Sequence, residues 1–251
     1  MPMPSASTHK RPTDASLAIE VLREHSLATL AQQELERRII SGEIPAGSKL
    51  NEVDVATALG VSRGPVREAF SALAQAGLVR VEKNRGVFVR QVSVEEANEF
   101  YEVRAALEGL IGQLAARRIS IDEIEALRAV LRRMHLTHKS RKADDYFALN
   151  VEFHDLLARA ARNNALLAQY RGIVNQLDLY RRATLTHGTE NIPVSTQEHE
   201  AIIEAVAARD EQRAQTLLVE HVLVSRARLH AALGTPAPHS DKALGTPALK
   251  A

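Results

Sequence analysis

The chain contains no cysteine and no tryptophan among its 251 residues. Without cysteine there are no disulfides, no thiolate metal ligands and no redox chemistry on sulfur. Aromatic residues make up only 4% of the chain, so its core must be built mostly of Leu, Ile, Val and Ala, which favours helices. No apolar run approaches the roughly 20 residues needed to span a bilayer, and no membrane partner is expected. The opening stretch MPMPSASTHKRPTDAS lacks the apolar segment of a signal peptide. It reads as a disordered arm over residues 1–26, and the chain is expected to work in the cytoplasm. Charge of one sign is also missing overall, since the formal net charge is +1. Any polyanion-binding surface must therefore come from local concentration of charge.

That concentration lies in LNEVDVATALGVSRGPVREAFSALAQAGLVRVEKNRGVFVR, residues 50–90. The pattern predicts a helix, a tight turn, a second helix and a two-stranded hairpin. Asn51 is a good N-cap with Asp54 three residues on, and Gly60 ends the first helix. Ser62 is expected to cap the second, whose first turn tolerates Pro65 because early helix amides have no intrahelical partner. Arg63 and Arg67 share one face, while Val66, Ala69, Phe70 and Leu73 line the other. After Gly77, residues 78–82 and 87–90 alternate around Lys83, Asn84, Arg85 and Gly86. Between Ser62 and Gln91 six basic residues face two acidic ones, Glu68 and Glu82. Such a unit is a winged helix-turn-helix with its charge where DNA would lie. An amphipathic helix over 27–40 completes a small domain expected to span residues 27–90.

From Ser93, which has Glu96 at the capping-box position, the chain reads as six helices: about 93–118, 121–138, 142–161, 164–187, 194–208 and 211–232. Short breakers separate them, which predicts an antiparallel α-helical bundle over 93–233. The fold class is thus mainly α. ALGTPA occurs twice after Ala231, too little for a repeat architecture, and residues 234–251 read as a disordered tail.

Three of the ten histidines occupy telling positions. His154 follows Asn150 by one helical turn in YFALNVEFHDLL, so both share a face flanked by aromatic and aliphatic residues. His199 precedes the stripe Ile202, Ile203 and Val206, and His221 follows Leu217 and Leu218. A single inward histidine is usually a satisfied core residue. Three from three helices each need a buried partner, and one divalent metal would satisfy them all. His9, His25, His135, His138, His187, His230 and His239 fall in tails or on polar-looking faces.

Residues 27–90, with SGEIPAGSKLNE, GVSRGPVREAFSALAQAGLV and NRGVFV, resemble the winged-helix domain of the GntR family of bacterial transcription regulators. Residues 93–232 resemble the FCD effector domain of its FadR-type branch, through VRAALEGLIGQLAA, NVEFHDLL, HEAIIEAVAARD and AQTLLVEHV; six effector helices suggest the VanR-like subgroup. The resemblance implies a homodimer that binds a short inverted repeat in operator DNA. It also implies a bundle that binds a metal and a small organic acid or phosphonate. By position, Ser62, Arg63, Gly64, Pro65 and Arg67 match the recognition-helix contacts, and Arg85 and Gly86 the wing tip. Val53 stands where many relatives carry an arginine. Asn150, His154, His199 and His221 match the ligand positions for a divalent ion, zinc or nickel, with Asn150 replacing a common Asp. Arg104, which could equally be the ion-pair partner of Glu108, matches an effector-facing arginine, and Tyr101 sits one turn before it.

The resulting expectation is a repressor controlled by an anionic metabolite, and no catalytic residues. The competing readings are a metal-dependent helical-bundle enzyme and an effector-free regulator with a structural metal. Glu152, Asp155, Glu198 and Glu200 flank the histidines but are expected to point away from the metal face, leaving no candidate base for catalysis.

Overall fold

The computed structural model describes residues 26–140, 143–184 and 192–234. All but Ser26 of the expected N-terminal arm, most of the C-terminal tail and the end of the helix predicted to reach residue 187 lie outside them. The chain divides into two compact units, one ending at Arg90 and the other beginning at Gln91.

In the first unit α1 (Leu27–Ile40) is capped by Ser26, whose side chain accepts from the Thr29 amide, and it buries Ala31, Leu35 and Ile39 at four-residue spacing. A short β1 (Lys49–Leu50) leads into α2 (Glu52–Leu59). Asn51 caps α2 by accepting from the Val53 amide at 2.9 Å, and Gly60 ends it in the left-handed region at φ +66°. The next helix, α3 (Arg63–Gln75), buries Val66, Ala69, Phe70 and Leu73, the apolar stripe legible in the sequence, and packs on α1 and α2. Ser62 occupies the N-cap position but makes no side-chain capping bond, which corrects the expected cap and leaves its hydroxyl exposed.

Strands β2 (Val79–Glu82) and β3 (Gly86–Val89) form the hairpin, with Val79 opposite Val89 and Glu82 opposite Gly86. Asn84 takes φ +62° in the turn, a conformation that asparagine tolerates better than most residues. The sheet has a third strand that the alternation did not announce: β1 pairs antiparallel with β3, giving the order β1-β3-β2. Two residues are too few to show a period. Leu78, Val79 and Val89 close the core beneath the sheet.

In the second unit the described helices are α4 (Val94–Arg118), α5 (Ile121–Ser140), α6 (Ala143–Ala160), α7 (Asn164–Thr184), α8 (Ile192–Ala207) and α9 (Glu211–Leu233). Ser93 and Glu96 form the expected capping box on α4. Helix α4 packs on α6, α7, α8 and α9, and its most extensive partner is α9. Gly109 and Gly112 allow that approach: a Cβ on Gly112 would stand 2.7 Å from the Ala214 carbonyl oxygen, and one on Gly109 2.9 Å from Val219. Ile111, Leu127, Met134, Phe153, Leu157, Ile202, Val206 and Leu218 form the main core. Among the described residues no helix is long and apolar enough to cross a membrane.

Candidate functional site

The first site is the exposed face of α3 and the hairpin tip. Arg63 and Arg67, one turn apart, have more than half their side-chain surface in solvent. Both donate to one atom, Glu52 Oε2 at the start of α2, from Arg63 Nη2 at 3.0 Å and from Arg67 Nε at 2.8 Å. The two arginines hold the Glu52 carboxyl below its usual range, Arg67 most. Ser62 and Gly64 are exposed beside them and Pro65 is half-buried. Val53 is exposed and contributes no charge. At the tip, Arg85 is largely exposed and pairs with Glu82 at 2.5 Å. Lys49, Arg80 and Arg85 surround the Phe88 ring at 5.7–5.8 Å from its centroid. Gly86 takes φ +115°, and a Cβ there would stand 3.0 Å from the Lys49 Cε.

The second site is the buried histidine centre of the bundle. His154 from α6, His199 from α8 and His221 from α9 are at most 5% exposed. His154 Nε2 stands 3.3 Å from both His221 Nε2 and His199 Nε2. Phe153 packs against the His199 ring at 4.5 Å between centroids, walling the cluster with hydrocarbon.

Two of these rings are held from behind. His154 Nδ1 lies 3.0 Å from Glu108 Oε2, and Glu108 Oε1 accepts from Arg104 Nε at 2.7 Å. His221 Nδ1 lies 2.8 Å from Glu198 Oε2, which also accepts from Arg228 Nη1 at 3.1 Å. The same arrangement of arginine, carboxylate and imidazole thus occurs twice. Burial alone would push the Glu108 carboxyl up, but Arg104 and His154 hold it well below the ordinary range. Glu198 is likewise lowered, against burial, by His221 and Arg228. Burial brings His154 down to about 4, with Glu108 opposing. Burial and the other two imidazoles push His199 well below its usual value. Both rings are neutral at physiological pH, the form that ligates metals.

A carboxylate behind Nδ1 places the ring proton there and turns the Nε2 lone pair inward. Lone pairs of His154 and His221 then face each other at 3.3 Å, an unfavourable contact unless something positive lies between. Two nitrogens bound tetrahedrally to one ion, each about 2.1 Å from it, stand about 3.4 Å apart. The residues present therefore fit a divalent metal.

Asn150 lies one turn before His154 on α6 and is half-buried. Arg104 is 4% exposed and Tyr101 fully buried. The Tyr101 hydroxyl accepts from Arg181, at 3.0 Å from Nε and 2.5 Å from Nη2. Of the flanking carboxylates, Glu152 pairs with Arg133 and Asp155 with Arg159 and Arg171, away from the imidazoles. Glu198 turns out to support His221 from behind. The sequence reading did not foresee that, nor the Glu108 contact to His154, because each pairs residues from different helices. His230, which looked surface-placed, is 3% exposed and bonds Asn98 Oδ1 at 2.7 Å.

Residues 27–89 match the family of bacterial regulatory proteins, gntR family, and residues 99–223 match the FCD domain. The probable D-xylose utilization operon transcriptional repressor of Paenarthrobacter nicotinovorans is 31% identical over 86% of this chain and 90% of its own length. The HTH-type transcriptional repressor RspR of Escherichia coli (strain K12) is 27% identical, over 75% of this chain and 82% of its length. A solved structure of a putative GntR transcriptional regulator from Rhodococcus sp. RHA1 superposes with a TM-score of 0.68 at 26% identity, covering 82% of this chain and 99% of that one.

Proposed function

Because the chain belongs to the GntR family of bacterial transcription regulators and carries an FCD domain behind its DNA-reading unit, we propose that it is a cytoplasmic, homodimeric repressor whose operator affinity is set by a small anionic metabolite bound at a divalent-metal centre. It is a DNA-binding regulator and not an enzyme; Glu152 and Asp155, paired with exposed arginines, agree with that. The observation that carries the proposal is the convergence of three buried Nε2 atoms, two of them on rings backed by carboxylates.

In this reading His154, His199 and His221 hold zinc or nickel, with the Asn150 amide oxygen as a fourth ligand in place of a relative's carboxylate. When bound, the ion supplies positive charge and open positions for a chelating anion, a small carboxylate or phosphonate. Arg104 holds Glu108 with its Nε edge and offers its terminal amino groups to the effector, since a guanidinium can serve two carboxylates at once. Tyr101, one turn away on α4, lines the same wall. Ser62, Arg63, Gly64, Pro65 and Arg67 meet the major groove, and Arg85 and Gly86 the backbone or minor groove beside it. A dimer carrying two such heads reads a short inverted repeat. A displacement of α4 by the effector is transmitted through the short segment between Arg90 and Ser93.

The test measures metal content and operator binding together. Purified wild type should carry about one divalent ion per chain, and His199→Ala or His221→Ala should empty the site. Asn150→Asp should bind the ion more tightly. Among small acids screened by calorimetry, those that bind should change operator affinity by about 5–150-fold, the usual range for coupled sites, and Arg104→Ala should blunt that response. Metal-free wild type whose melting is indifferent to chelator, or binders that are all neutral or cationic, would overturn the reading.

A further inference from the structure

The DNA-reading face carries an acidic residue that the contacts assumed for it do not use. Glu52 is the first residue of α2, behind the Asn51 cap. A carboxylate there is favourable simply because helix N-termini are electropositive. Its geometry goes further. One oxygen, Oε2, accepts from Arg63 Nη2 and Arg67 Nε across 11 and 15 residues of sequence, joining the two helices of the helix-turn-helix on their exposed side. The Glu52 side chain is 30% exposed, so it lies at the surface that DNA would approach.

Arginine reads guanine through two parallel N–H donors aimed at O6 and N7. Arg67, bonded to Glu52 through Nε, keeps its terminal pair of amino groups for that contact. Arg63, bonded through one proton of Nη2, keeps the second Nη2 proton, which runs parallel to a proton of the neighbouring nitrogen and forms its remaining two-donor edge. A phosphate stands in a different relation to this cluster. It can use the same free donors, but it brings a full negative charge close to Glu52, which the neutral edge of a guanine does not. We infer that Glu52 is a specificity-determining, positioning residue of the DNA-reading head: it orients Arg63 and Arg67 for base edges and penalises their use on backbone phosphates. The inference rests on the proposed reading of DNA by Arg63 and Arg67.

The test uses the full chain and two duplexes of equal length, one selected by wild type from a random library and one scrambled. Affinities are measured over a salt series for wild type, Glu52→Gln and Arg67→Ala. Each phosphate engaged steepens the fall of log affinity with log salt by about 0.9. Glu52→Gln should bind the scrambled duplex more tightly, with a salt slope steeper by about that amount. Its preference for the selected duplex should fall at least about tenfold, from loss of arginine orientation. A role confined to the end of α2 would lower the melting temperature and leave the salt slope unmoved. Glu52→Asp keeps the charge but falls one methylene short of the two guanidiniums, so it should also lose preference for the selected duplex. Wild-type preference and slope in Glu52→Gln, or wild-type preference in Glu52→Asp, overturn the inference. If Arg67→Ala collapses the preference while Glu52→Gln does not, only the role of Glu52 falls. If Arg67→Ala leaves the preference intact, the recognition-helix reading falls and this inference with it.

Discussion

At the scale of single residues, the histidine centre is governed by what stands behind each ring. His154 and His221 each have a carboxylate at Nδ1, whereas His199 Nδ1 is buried with no hydrogen-bond partner among the described residues. The His221 ring is fixed by its hydrogen bond to Glu198, the His154 ring faces the Glu108 carboxylate in a close charge contact, and the third is held by packing against Phe153. Glu108→Gln keeps the size of the side chain but removes the charge that His154 and Arg104 both face. It should weaken metal affinity by about 10–100-fold, the usual effect of losing such a support, measured by competition with a chromophoric chelator. An unchanged affinity would mean that packing alone orients His154. The inward histidines were legible because each sits on an apolar stripe of its own helix, a local signal. Glu108 and Glu198 were not, since their partners lie 46 and 23 residues away and nothing in local spacing encodes which helices meet.

At the scale of elements, the close seat of α4 on α9 depends on two positions without side chains. Gly112→Ala would force a methyl group against the Ala214 carbonyl oxygen at 2.7 Å and Leu218 at 2.8 Å. Backbone cannot yield as a flexible side chain can, so the variant should lose about 1–3 kcal/mol of stability, read from urea unfolding. A neutral result would show that the helices separate at no cost. The helices themselves were readable from period and caps: Ser93 with Glu96, Asn51 and Gly60 all behave as their types predict. The two-residue strand β1 escaped notice because its pairing with β3 is set by tertiary proximity. The glycines of α4 also escaped notice, since a glycine within a helix announces close packing only once the neighbouring helix is known.

At the scale of the whole molecule, burying neutral imidazoles ties stability to pH. His154 is lowered to about 4 from an ordinary 6.5, and His199 is lowered well below 6.5. As pH falls below about 6.5 the unfolded chain takes up protons at these positions that the folded chain refuses, so the equilibrium shifts toward unfolding. Metal-stripped protein should therefore lose stability between about pH 6.5 and 4, each of the two residues contributing a slope of up to about 1.4 kcal/mol per pH unit. Above pH 7 stability should be level with respect to these groups. Urea midpoints measured from pH 8 to 5 check this, and His154→Gln should flatten the slope; a level profile in the stripped wild type would contradict the burial argument. The architecture also decides where movement goes. Helix α4 is fastened at its C-terminal end: Arg117 pairs with Glu211, Arg118 donates to the Ala161 carbonyl, and Arg209 donates to that of Ala116. In the proposed switch, with that end as fulcrum and the bonds of Tyr101 to Arg181 and of Asn98 to His230 yielding, the helix would act as a lever. At about 1.5 Å per residue, Glu108 lies about 14 Å from Arg117 and Val94 about 35 Å from it. A tilt that shifts Glu108 by about 1 Å carries Val94 through about 2.6 Å, so a small adjustment at the histidines is multiplied where the chain passes toward its DNA-reading unit.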